Sequence, residues 1–103
     1  MNAKQEFLAH TQEHNVKCAI VQINDNLKLN TIRLRQNHSF IEMDNFLYQL
    51  NFEYSFEYSS DYGLQYLLGI IWYNDGTWSI RGEYDGSEWW QYQYCPVIPK
   101  ELL

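Results

Sequence analysis

The sequence predicts an α+β fold, in which an antiparallel sheet of five to six strands and two helices form two layers. Three observations lead to this class: two segments with helical spacing, several short segments rich in β-branched and aromatic residues, and Asp-Gly pairs between the last of these segments. A chain of 103 residues with 46% hydrophobic residues suits a single globular domain spanning residues 1–103.

Two helices are predicted, at residues 3–14 and 40–50. The first has Phe7 and Leu8 on its apolar side, with polar residues on the other side. The second is preceded by Ser39, and Glu42 follows three residues later, which is the spacing of a capping box that satisfies the first backbone N–H groups.

The remaining regular segments have the composition of strands, and turn residues separate most of them. A change of hydrophobic phase in the second of them predicts a β-bulge near Asn30 or Thr31. The predicted strands are 16–24, 27–35, 52–59, 64–73, 77–84 and 88–94.

Two hairpins are predicted at Asn74-Asp75-Gly76 and Asp85-Gly86. If each Asp-Gly pair fills a two-residue turn, Tyr73 faces Trp78, and one face of the last three strands is almost entirely apolar. We assign that face to the core. The opposite face, which we expect to be open, then groups large aromatics with charges: Trp72, Arg81, Glu83, Glu88, Trp90 and Tyr92. The alternative that the first helix covers this second face stays open.

The charge is concentrated in the second half of the chain. The formal net charge is −6, and the residues from Phe52 onward carry all of it. An acidic protein is poorly suited to bind nucleic acid, which requires clustered Lys and Arg, whereas it attracts basic proteins. The sequence therefore favours a basic protein as partner and excludes direct contact with nucleic acid or an anionic membrane.

We predict a partner-binding surface in which carboxylates imitate phosphates and aromatic rings supply contact area. In the predicted register, Glu83 lies opposite Glu88, a like-charge pair that a cationic partner would relieve. Arg81 next to Trp90 is expected to form a cation–π contact. The predicted partner-binding residues are Glu53, Glu57, Trp72, Arg81, Glu83, Asp85, Glu88, Trp90 and Tyr92.

No catalytic residue, metal site or cofactor is predicted. Glu83 and Glu88 could be read as an acid–base pair, but such chemistry needs a deep cleft. His10 and His14 have the i, i+4 spacing of metal ligands but lack the neighbouring Glu of a hydrolase motif. Without a long apolar run or a signal segment, the chain is expected to be cytoplasmic, and its two cysteines are expected to remain thiols.

The stretch from Asp75 to Trp90, followed by Cys95-Pro96 and Ile98-Pro99, resembles small proteins carried by phages and other mobile elements, among them anti-CRISPR proteins. The resemblance covers the C-terminal third of the chain. It implies a non-enzymatic inhibitor that docks on the basic nucleic-acid-binding surface of a defence nuclease in a bacterial host. The alternatives are a nuclease-toxin immunity protein, a module that binds a small ligand such as a carbohydrate or nucleotide, and a structural homodimer.

Overall fold

The computed structural model describes residues 2–25, 28–53, 66–84 and 87–103. In chain order the elements are α1 (Ala3–Thr11), β1 (Val16–Asp25), β2 (Lys28–Leu34), α2 (Phe40–Leu50), β3 (Leu67–Tyr73), β4 (Trp78–Tyr84), β5 (Ser87–Gln93) and a 3-10 turn at Lys100–Leu102. The five strands form an antiparallel sheet with the order β2-β1-β3-β4-β5. The predicted α+β class is therefore confirmed.

Both helices begin where a side chain caps the backbone. Asn2 Oδ1 accepts a hydrogen bond from Gln5 N at 3.0 Å before α1, and the predicted capping box of Ser39 and Glu42 is present before α2. Helix α1 ends at Thr11, three residues earlier than predicted, because His14 N bonds Thr11 O in a turn.

The helices pack on one face of the sheet, where the core lies. Phe7 of α1 and Phe46 of α2 meet edge to face with ring centroids 5.3 Å apart, and both are almost fully buried. The buried sheet residues beneath them are Ala19, Val21, Ile32, Leu34, Leu67, Ile71 and Tyr73.

Two details of the predicted strands differ. The pairing of β1 with β2 runs without interruption, so the predicted bulge near Asn30 is wrong; the phase change instead leaves Leu29 55% exposed. The irregularity is in β1, between Val16 and Cys18. The predicted strand at 52–59 lies outside the described residues beyond Glu53, which forms an isolated bridge with Asn2.

The predicted register of the β3–β4 hairpin is wrong by one residue. Trp78 pairs with Trp72 instead of Tyr73, because Tyr73 N donates a hydrogen bond to Thr77 O and three residues, 74–76, separate this pair, where the prediction placed two residues between Asn74 and Thr77. Asp75 Oδ1 accepts hydrogen bonds from Thr77 N and Thr77 Oγ1, which holds Thr77 in the turn. Gly76 has φ +87°, which suits glycine. The β4–β5 register is as predicted, with Arg81 opposite Trp90 and Glu83 opposite Glu88.

A shift of one residue exchanges the faces of β4 and β5 relative to β3, because side chains alternate along a strand. Ser79, Arg81 and Trp90 therefore lie on the helix side, together with Ile71 and Tyr73. The predicted face that joined Trp72 to Arg81 and Trp90 does not exist.

Candidate functional site: a closed polar cluster and an open aromatic face

A polar cluster lies between α1 and the sheet. Arg81 is 7% exposed, forms an ion pair with Glu6 of α1, and has its Nη2 3.4 Å from Glu88 Oε1. Its guanidinium carbon lies 5.1 Å from the centroid of the Trp90 ring, so the predicted cation–π contact is confirmed. Trp90 is also only 7% exposed, and Phe7 packs edge to face against it. The predicted exposure of Arg81 and Trp90 is therefore wrong.

Glu88 holds the start of β3. Its carboxylate accepts hydrogen bonds from Tyr66 N at 2.6 Å and Leu67 N at 2.8 Å. The pairing of β3 with β4 covers Ile70, Ile71 and Trp72, so at Leu67 the side chain of Glu88 supplies an acceptor that the neighbouring strand does not. The negative charge of Glu88 is thus compensated by Arg81 and by backbone N–H groups. The inference that the Glu83–Glu88 pair needs a cationic partner loses its basis.

A second group of polar contacts connects α1 to the sheet. Ser79 Oγ lies 2.8 Å from His10 Nε2 and 2.7 Å from the Tyr73 hydroxyl. Burial, followed by repulsion from His14 and Arg81, lowers the pKa of His10, while Glu6 opposes this effect; burial raises the pKa of Tyr73.

This second cluster resembles a Ser–His pair but is closed to substrates. Ser79 is fully buried at 0% exposure, so no substrate reaches its hydroxyl in this conformation. His14 stacks on Tyr73 and Tyr92 with ring centroids 4.6 and 4.7 Å away. These contacts fix α1 on the sheet.

The other face of the sheet is open in the described part of the chain, and it is aromatic and aliphatic. Trp72 and Trp89 are each 39% exposed and Leu68 is 37% exposed. Strand alternation and the observed register place further side chains beside them. The residues that we call the open face are Cys18, Ile20, Leu68, Ile70, Trp72, Trp78, Ile80 and Trp89.

The open face carries no charge. From Cys18 to Asn24 of β1, and along the described β3, β4 and β5, every residue that alternation places on this side is uncharged. Arg33, on the outer strand β2, is the nearest charged position on this side. An uncharged apolar patch of this extent on a sheet is typical of a contact surface.

The predicted site residues are therefore distributed over both sides of the sheet. Trp72 belongs to the open face as expected, whereas Tyr92, 37% exposed, lies on the helix side beside His14. Glu53 and Glu83 are exposed. Glu57 and Asp85 lie outside the described residues.

The sequence prediction missed Trp78, Ile80 and Trp89 as members of the exposed surface. The signal that would have placed them is the Asp75-x-Thr77 spacing, which is typical of an Asx turn and indicates a longer hairpin connection. It also missed Glu6, for which the sequence offers no signal, because its partner Arg81 lies 75 residues away.

A cavity of about 350 Å³ lies between the two helices and the ends of the strands. Its apolar lining includes Phe7, Met43 and Leu47, and Asn15 and Asn74 contribute amides.

Among the described residues, no group of three His, Cys, Asp or Glu side chains is arranged to hold a metal ion. Both cysteines are free thiols. No helix in the described ranges is long and apolar enough to cross a membrane.

Comparison with known proteins gives no relative. No family model matches the chain, and neither the curated proteins nor the solved structures contain a match.

Proposed function

We propose that this chain is a non-enzymatic inhibitor that docks its open face on the basic, nucleic-acid-binding surface of another protein, as an anti-CRISPR protein does on a defence nuclease. The observation that carries the proposal is the open face itself, in which three tryptophans lie on the same side of the sheet among uncharged residues of β1, β3, β4 and β5. The partner is a protein with an apolar patch surrounded by Lys and Arg.

The composition of the open face supports a protein partner. The centres of protein interfaces are poor in charge and rich in aromatic residues, and a few large side chains there provide most of the affinity. Trp72, Trp78 and Trp89 have this character, and their partial exposure leaves apolar area for a partner to bury.

The charge of the protein supports a basic partner. The net charge is −6, and two carboxylates flank β4: Asp75 is exposed in the turn before it, and Glu83 is exposed near its end, on the helix side. Carboxylates at the edge of an interface accelerate association with a cationic surface, and their effect is screened by salt. The tryptophans would then set the lifetime of the complex, and the carboxylates its rate of formation.

The closed polar cluster supports a role without catalysis. Ser79 and His10 have the residue types of a nucleophile and its base, but Ser79 is fully buried beneath α1, and its hydroxyl is hydrogen-bonded to that of Tyr73.

A module that binds a small ligand is the second candidate, and the cavity between α1 and α2 favours it.

The test compares two exposed aromatic positions on opposite sides of the sheet. Trp72→Ala removes a ring from the open face, and Tyr48→Ala removes a ring that is 78% exposed on α2. Each variant and the wild type is used to capture proteins from bacterial lysate. The captured enzyme is then purified, and its nucleic-acid cleavage is titrated with each variant at low and high salt.

The proposal expects a nucleic-acid-processing enzyme that wild type and Tyr48→Ala inhibit and that Trp72→Ala inhibits at least about tenfold less well, as for loss of a tryptophan hot spot. Inhibition should also weaken as salt rises. Equal inhibition by Trp72→Ala and Tyr48→Ala would exclude the open face as the docking surface. Capture of an enzyme whose activity does not change when the protein is added would overturn the proposal that the protein is an inhibitor. Binding of a neutral small molecule in the cavity would favour the second candidate.

A further inference from the structure

The two outer strands of the sheet differ in how their edges are protected. Strand β2 carries Arg33, and Arg35 follows its last residue; both are exposed. Positive charges on an edge strand discourage another chain from adding to it. Strand β2 thus has the composition of an edge strand to which no further strand adds.

Strand β5 lacks such protection. Its seven residues, Ser87–Gln93, contain one charged side chain, Glu88, and that carboxylate is turned inward to Tyr66 N, Leu67 N and Arg81. Within the described residues no strand lies beyond β5, and no backbone hydrogen bond joins the C-terminal segment after Tyr94 to it. An uncharged aromatic edge of this length is a site for strand addition.

The hairpin register shows which backbone groups face outward. Tyr84 and Ser87 pair on either side of a two-residue connection, so they form a hydrogen-bonded pair, and bonded and non-bonded pairs then alternate along the ladder. The N–H and C=O groups of Glu88, Trp90 and Tyr92 therefore point away from β4, toward the free edge.

We propose that β5 is the dimerisation edge of this protein and that a second copy pairs with it antiparallel about a twofold axis at Trp90. This register uses all seven residues and places Ser87 opposite Gln93, and Glu88 opposite Tyr92. No like charges meet, which makes the edge self-complementary. The two sheets become one sheet of ten strands, and both open faces lie on the same side of it.

This inference does not depend on the proposed function. A dimer joined at β5 leaves the open face accessible. Dimerisation and binding of a basic partner should also respond to salt in opposite ways. Two copies with a net charge of −6 repel each other, so dimerisation strengthens as salt screens that repulsion. Binding to a basic partner weakens as salt rises.

The test uses charges at the two ends of the proposed ladder. In the double variant Ser87→Glu with Gln93→Glu, carboxylates oppose each other at both ends. In Ser87→Lys with Gln93→Glu, opposite charges meet and the net charge stays at −6. The control, Gln12→Glu with Gln36→Glu, adds the same two negative charges at exposed positions outside β5. Sedimentation velocity over a concentration series gives the mass of each.

We expect a dimer of the wild type, a dissociation constant about tenfold higher for the Glu–Glu variant, and recovery in the Lys–Glu variant. The control should dimerise as the wild type does. Hydrogen exchange of the wild type gives a readout free of substitutions: the amides of Glu88, Trp90 and Tyr92 should become protected as concentration rises. A monomer at all concentrations and at high salt, a dimer indifferent to the Glu–Glu change, or unchanged exchange of these amides would overturn the proposal.

Discussion

Replacing Glu88 by glutamine should destabilise the fold far more than the same change at its cross-strand neighbour Glu83. The carboxylate of Glu88 faces three donors: Tyr66 N at 2.6 Å, Leu67 N at 2.8 Å and the Arg81 guanidinium at 3.4 Å. Glutamine has one oxygen and one NH₂ group, so at least one of these donors would face another donor.

The magnitude follows from the burial of the site. The Glu88 side chain is 7% exposed and that of Arg81 is 1% exposed. A lost hydrogen bond to a charged group costs about 1.5–3 kcal/mol, and a buried donor without an acceptor adds its own desolvation. We expect Glu88→Gln to lower the free energy of unfolding by about 3 kcal/mol. Glu83 is exposed, so Glu83→Gln should cost less than about 1 kcal/mol.

Urea unfolding followed by tryptophan fluorescence measures both values, with circular dichroism as a second probe of two-state behaviour. Buried Trp90 beside Arg81 is one of the four tryptophans, so part of the fluorescence change comes from this cluster. Equal losses in the two variants, or a loss below about 1 kcal/mol for Glu88→Gln, would refute the role assigned to Glu88 as the anchor of β3.

Two further predictions concern the packing of the sheet. Gly69→Ala should lower the free energy of unfolding in urea by about 2–3 kcal/mol, because a Cβ there would lie 2.6 Å from the carbonyl oxygen of Ile20. Gly82→Ala should cost less, because its Cβ would meet the half-exposed ring of Trp89, which can move. Equal costs for the two variants would contradict this reasoning. The pKa of His10 is lowered in the folded state, so the unfolded state binds the proton first, and the free energy of unfolding should fall as pH drops below about 6.5. His10→Gln should remove this part of the pH dependence. If the variant and the wild type showed the same difference in unfolding free energy between pH 5 and pH 8 (roughly the span in which histidine titrates), the prediction would be contradicted.

Much of the fold could be predicted because its signals are local. The capping box of Ser39 and Glu42 depends on residues three apart, and it is found where the sequence places it. The β4–β5 register follows from the two residues that separate Tyr84 from Ser87, and it too is as predicted. The aromatic and acidic character of the second half is a property of composition and needs no structure.

The candidate site depended on contacts that the sequence does not encode locally. The turn that Asp75 forms with Thr77 moves the β3–β4 register by one residue, and that shift carries Arg81 from the expected open face to the buried one. Its partner Glu6 is on a helix at the other end of the chain.

The sequence by itself determined the class of fold, most of its elements and the excess of negative charge, because propensity, capping, short turns and composition act over a few residues. Only the tertiary structure decided which side of the sheet is covered. Helix α1 has little apolar periodicity of its own, and it docks through Phe7, Glu6 and His10 onto residues of β4 and β5. The physical reason is that side chains alternate across a sheet, so a single residue of register determines which tryptophans a partner can reach.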